Sequence, residues 1–166
     1  MAMLFELVAV FGDPLAAHRA RALVARTGSV QVGHRWVPLT EPSRSPGPNE
    51  VTVWPDGLGV GGRWADKWFS GQAARDVDLD DVADQLYDLL KRFDGYLCAQ
   101  VGWDPETDAD LYNIQEAVAD PDDRLQHCAG LVLAEELALR WSLIDGWEPF
   151  APGHVWRPRR SFRAST

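Results

Sequence analysis

Between Asp78 and Phe93 the apolar residues Leu79, Val82, Leu86, Leu89, Leu90 and Phe93 fall within about 100° of one another at 100° per residue, and Asp81, Asp84 and Asp88 form a stripe on the opposite side. An apolar stripe of that width has to be covered by another layer of structure, so the rest of the chain must supply one. Asp78 is placed to cap the free amides of the first turn, and Gly95 is placed to stop the helix. The segments on either side read as short strands, so a sheet is the expected partner.

Leu4, Leu7, Val8, Val10 and Phe11 make a short apolar run that reads as a buried strand. Asp13-Pro14 then opens a helix to about Thr27, with proline where its missing N–H costs nothing and Gly28 as the left-handed exit. Val30, Val32, His34 and Trp36 alternate with polar residues, so Ser29 to Leu39 is expected to be one strand. Pro42, Pro46 and Pro48 make the stretch from Thr40 to Asn49 a loop. Val51–Trp54 and Leu58–Val60 flank Pro55-Asp56-Gly57, which predicts a hairpin. Tyr96 to Trp103 reads as a further strand, closed by Asp104-Pro105. Leu111, Ile114 and Val118 suggest a short helix. From Arg124 to Ile144 the strong helix formers around Glu135-Glu136 favour a helix that Gly130 kinks or splits, although Leu137, Leu139, Trp141 and Leu143 also fit strand alternation. The expected architecture is one α+β domain over residues 1–166. It has a mostly antiparallel sheet of about five strands, helices on one face, the order β-α-β-β-β-α-β-α, and a Trp-bearing C-terminal helix completing the core. A more strongly α/β arrangement is the alternative.

With 166 residues, 46% of them hydrophobic and 25% charged, the chain can bury a true core, and disorder, collagen and coiled coil are excluded as descriptions. The formal net charge of −9 disfavours nonspecific nucleic-acid binding and attraction to anionic membranes. A basic partner is favoured instead. Met1 to Phe11 lacks the basic leader of a secretory signal, and no stretch reaches the roughly 18 apolar residues of a membrane span, so the cytoplasm is the expected compartment. Lys67 and Lys91 are the only lysines; since arginine codons are GC-rich, a GC-rich bacterial genome is the expectation from codon arithmetic alone. Acid is concentrated in residues 66–123. The tail, residues 151–166, carries Arg157, Arg159, Arg160 and Arg163 without an acid, and either folds back on that acidic middle or points into solvent.

The chemistry-bearing motifs are weak. Gly57, Gly59 and Gly62 spell G-x-G-x-x-G, but Pro55-Asp56 turns the chain before the first glycine and no capped helix opens after it, so the glycines read as hairpin residues. Asp104, Glu106, Asp108 and Asp110 alternate as in a calcium loop, yet the positions that need glycine and a bidentate glutamate are Ala109 and Gln115. No metal and no cofactor is implied. Cys98 and Cys128 have no metal-like spacing and read as reduced, buried thiols. There is no G-x-S-x-G, H-E-x-x-H or Walker loop, and the four histidines are isolated in sequence.

The eight tryptophans are the least ordinary part of the composition. Trp64 and Trp68 are four apart in a glycine-flanked segment, and Trp103 runs directly into Asp104, Glu106, Asp108 and Asp110. Indole faces rimmed by carboxylates can receive arginine or lysine side chains through cation–π contact and charge pairing. The expected function is a non-enzymatic binding module that masks a basic protein partner, of the physical kind found in inhibitors and immunity proteins. Its expected surface is Trp64, Trp68, Trp103, Asp104, Glu106, Asp108 and Asp110, with Asp81, Asp84 and Asp88 of the helix. The alternatives are rings packed inward with acids serving solubility, and a small-molecule or thiol/His-dependent catalytic site between sheet and helices using Cys98, His127, His154 or Tyr96.

Overall fold

The structure is a computed structural model that describes residues 3–40, 47–60, 77–103, 105, 129–143 and 145–159. Its elements are β1 (Met3–Phe11), α1 (Pro14–Thr27), β2 (Ser29–Val32), β3 (Arg35–Thr40), β4 (Glu50–Pro55), β5 (Gly59–Val60), α2 (Leu79–Leu90), β6 (Tyr96–Trp103), β7 (Val132–Ala134), α3 (Glu135–Arg140), β8 (Glu148–Ala151) and β9 (His154–Trp156). The chain is α+β, and among the described residues the sheet runs β2-β3-β4-β1-β6-β7-β9-β8, with β5 also paired to β1. Every pairing is antiparallel.

β1 is the middle of the sheet because its neighbours on both sides are long: Leu7–Val10 pair with Val53–Glu50, and Phe5–Phe11 pair with Trp103–Tyr96. Alternation then sorts its side chains. Phe5, Leu7, Ala9 and Phe11 join Val51, Val53, Ala99 and Val101 beneath the helices, whereas Val10 faces the second cluster of Cys98, Leu131 and Leu133. α1 is capped by Asp13, whose carboxylate accepts from the Leu15 amide at 3.0 Å, and ends on Gly28 at φ 66°. It lays Ala16, Ala17, Ala20 and Val24 on the sheet; α2 lays Val82, Ala83, Leu86, Leu89 and Leu90 there. A fully buried leucine or valine stabilises by about 1.5–3 kcal/mol relative to exposure, so this shared core dominates the energetics. The Asp78 carboxylate accepts from the Asp80 amide at 3.0 Å, as the sequence implies.

Four expectations are corrected. Among the described residues the sheet has nine strands rather than about five, and the elements follow the order β-α-β-β-β-β-α-β-β-α-β-β. Ser29 to Leu39 is not one strand: Gly33, at φ 58°, and His34 make a two-residue turn, and Val32 pairs with Arg35. That turn shifts the alternation by one residue. Val37, opposite Val30, faces the core, and Trp36 points outward with 67% exposure. The Pro55–Gly57 turn forms, with the Leu58 amide donating to the Pro55 carbonyl at 3.3 Å, but the hairpin does not: β5 continues along β1, pairing Gly59 with Leu4 and Val60 with Met3. Of the expected helix from Arg124 to Ile144, residues 124–128 and 144 lie outside the described residues; within the rest, Val132–Ala134 is strand, and only Glu135–Arg140 is helix. Val132 and Leu133 face opposite clusters, a two-sided burial that suits a sheet interior strand better than a helix stripe. The stretch containing Leu111, Ile114 and Val118 lies outside the described residues.

Candidate functional site

The β8–β9 hairpin is closed by Pro152-Gly153, with Gly153 at φ 76°, and hangs on β7 through Val132↔Trp156 and Ala134↔His154. Because Val132 belongs to the helix-side core, the same alternation directs Trp156 toward α2. There it meets Tyr87 edge-on, with ring centroids 5.5 Å apart, and Phe150 completes the group at 5.8 Å from Tyr87 and 5.4 Å from Trp156. The result is an aromatic wall at the seam between helix and hairpin.

Tyr87 anchors the wall from below. Its side chain is buried, and its hydroxyl donates to the Gly130 carbonyl at 2.7 Å. Burial pushes this phenol well above its ordinary range, so it stays a neutral donor. Phe150 and Trp156 are partly exposed. Above them, α2 contributes Asp84 and Asp88, whose side chains are 65% and 61% exposed, together with Lys91. These residues and Pro149 line an open cleft of about 350 Å³. The Lys91 ammonium lies 2.8 Å from the Asp88 carboxylate and 5.5 Å from the centre of the Phe150 ring. A cation therefore already rests in the angle between a carboxylate and an aromatic face.

The tail adds a second cation. Beyond β9 the chain keeps strand-like bonds, Arg157 donating to the Leu131 carbonyl at 3.0 Å and Gly130 to the Arg157 carbonyl at 2.8 Å. Arg159 then folds onto the start of α2, donating to the Asp80 carboxylate at 2.5 Å, the Asp80 carbonyl at 3.0 Å and the Asp84 carboxylate at 2.8 Å. Burial alone would lower its pKa, but the hydrogen bonds it donates to Asp84 and Asp80 hold it above the ordinary value. The tail thus folds back as far as Arg159; residues 160–166 lie outside the described residues.

Asp81, Asp84 and Asp88 are exposed on α2, as expected from the sequence. Asp84 is engaged by Arg159, whose side chain is only 14% exposed; Asp88 is engaged by Lys91 in a pair exposed on both sides, which contributes only about 0–1 kcal/mol, so an incoming cation can compete for Asp88. Trp103 ends β6 and packs edge-on against Phe5, with ring centroids at 5.4 Å. Trp64, Trp68, Asp104, Glu106, Asp108 and Asp110 lie outside the described residues, as do His127 and Cys128. Cys98 is buried in the cluster of Leu131 and Leu133. Tyr96 is buried in the other cluster, and His154 stacks on it at 3.8 Å while its two ring nitrogens face the Tyr96 carbonyl at 3.0 Å and the Pro152 carbonyl at 3.2 Å. The described residues therefore do not assemble Cys98 and His154 into one site.

Sequence reasoning missed Tyr87, Lys91, Phe150 and Trp156 as site residues. The available signal was Pro152-Gly153 between Phe150 and Trp156, a turn that brings two aromatics onto neighbouring strands. Among the described residues no helix is long and apolar enough to cross a membrane, and no group of His, Cys, Asp and Glu is arranged to hold a metal ion. No known protein family, no curated protein and no solved structure matches this chain.

Proposed function

We propose that this chain is a non-enzymatic binding module that masks a basic protein partner, docking it on the acidic face of α2 and the aromatic cleft beside it. The observation that carries the reading is Lys91: its ammonium sits against both Asp88 and the Phe150 ring, so the cleft accommodates the chemistry a basic partner would bring. Exposed Asp81, Asp84 and Asp88 supply the long-range attraction, which speeds encounter, while desolvated aromatic contact slows release. Trp64, Trp68 and Trp103, with the acids Asp104, Glu106, Asp108 and Asp110, belong to the same proposal as further anchors and further negative charge. An inhibitor or immunity-type protein that neutralises a basic target is the biological role with these requirements.

The test is stopped-flow binding of an arginine-rich peptide to the full chain at several salt concentrations. Asp81→Asn with Asp88→Asn is expected to lower the association rate about three- to tenfold at low salt and to flatten its salt dependence. Neutralising Asp104, Glu106, Asp108 and Asp110 is expected to act in the same direction. Association rates unchanged in both variants would refute the surface assignment.

A further inference from the structure

Resting on the reading above, we infer that the cleft between α2 and the β8–β9 hairpin selects an arginine side chain, and that Lys91 is its built-in competitor. The three rings contact one another, with centroid separations of 5.4–5.8 Å and interplanar angles of 48–73°. They form a wall, not a box with an empty centre. A methylated ammonium gains most when rings enclose it on several sides, which this packing does not provide. A simple ammonium is met by Lys91, which already occupies the place between Asp88 and Phe150. A planar guanidinium has a different option: it can lie flat on one of the two partly exposed rings, Trp156 or Phe150, which are tilted 48° from each other, while its edge donates to Asp84 and Asp88 at the rim.

The same helix face already holds one guanidinium by edge donation. Arg159 bridges Asp80 and Asp84 with separate nitrogens, so the spacing of carboxylates along this turn suits a forked donor. The cleft, at about 350 Å³, lies at the small end of the range for ligand sites, roughly 300–1,000 Å³, and fits one extended side chain. Lys91 must swing out when that side chain enters. Its ammonium is exposed and its partner Asp88 is exposed, so the displacement costs little and acts as a modest, tunable brake on affinity.

The experiment is calorimetric titration of the full chain with three otherwise identical short peptides carrying arginine, lysine or trimethyllysine at the centre. The arginine peptide is expected to bind about tenfold more tightly than either of the others. Lys91→Met, which keeps the stem and removes the charge, is expected to tighten the arginine peptide about three- to tenfold, and Lys91→Gln should do likewise. Equal affinity for arginine and lysine peptides, or weaker arginine binding in both Lys91 variants, would overturn arginine selectivity while leaving the acidic docking surface standing. Absence of binding by all three peptides at low salt would overturn both.

Discussion

Replacing Gly130 by alanine is expected to destabilise the fold by about 3 kcal/mol, which for a chain of this size lowers Tm by roughly 6–12 °C. Two causes add. Gly130 has φ 81°, where an L side chain is strained by about 1–2 kcal/mol. A Cβ there would also stand 2.5 Å from the Tyr87 hydroxyl and 3.3 Å from the Arg159 Cβ. Tyr87 cannot retreat, because Phe150 and Trp156 meet its ring edge-on. The clash therefore strips the buried hydroxyl of its acceptor, a loss of about 1–3 kcal/mol. Thermal melts of G130A, Y87F and the double variant separate the causes: in the Y87F background the cost of G130A should fall by about 1 kcal/mol or more. A G130A protein as stable as the parent would contradict the placement of Tyr87 under the hairpin.

Alkaline pH is the second large effect. Burial pushes both Tyr87 and Tyr96 above the ordinary phenol range, and the Tyr96 hydroxyl has no hydrogen-bond partner among the described residues. In the folded chain both phenols keep their protons beyond pH 10; in the unfolded chain both lose them near that value. The unfolded state then binds fewer protons, so stability is intact below about pH 10 and falls above it. With two such groups the slope approaches about 2.7 kcal/mol per pH unit until the folded-state values are reached. Phenolate absorbance followed with circular dichroism checks this. Two of the three tyrosines should ionise only as the fold is lost. Reversible ionisation of all three in the intact fold would contradict the burial of these rings.

How much of this was legible in the sequence depended on whether local chemistry or distant pairing decided the outcome. α1 and α2 were readable because Asp13-Pro14 and Asp78 act within one turn and the apolar stripe of α2 is continuous. β1 and β6 were readable as apolar runs, but not as neighbours. The Gly33-His34 turn was misread because a two-residue turn moves the inward position from even to odd residues, and Val37 took the place assigned to Trp36. β7 was hidden among helix formers: a three-residue strand between β6 and β9 is stabilised by pairing across the sheet, which overrides the propensity of the segment that follows. The site followed the same division. The acidic stripe could be read from α2 alone, whereas Phe150 and Trp156 reach it only through the order β7-β9-β8. Trp103 was singled out for its acidic neighbours in sequence, yet its described ring contact is with Phe5.

The central claim is that a basic partner meets this chain at the seam of α2 and the β8–β9 hairpin. The most direct measurement is a nitrogen–proton correlation spectrum of the indole groups, with Trp156 assigned by Trp156→Phe, during titration with an arginine-rich peptide at low and high salt. The Trp156 resonance should move with saturation at low salt, and Asp88→Asn should weaken that shift. A Trp156 resonance that stays in place while the peptide binds elsewhere on the chain would contradict the account.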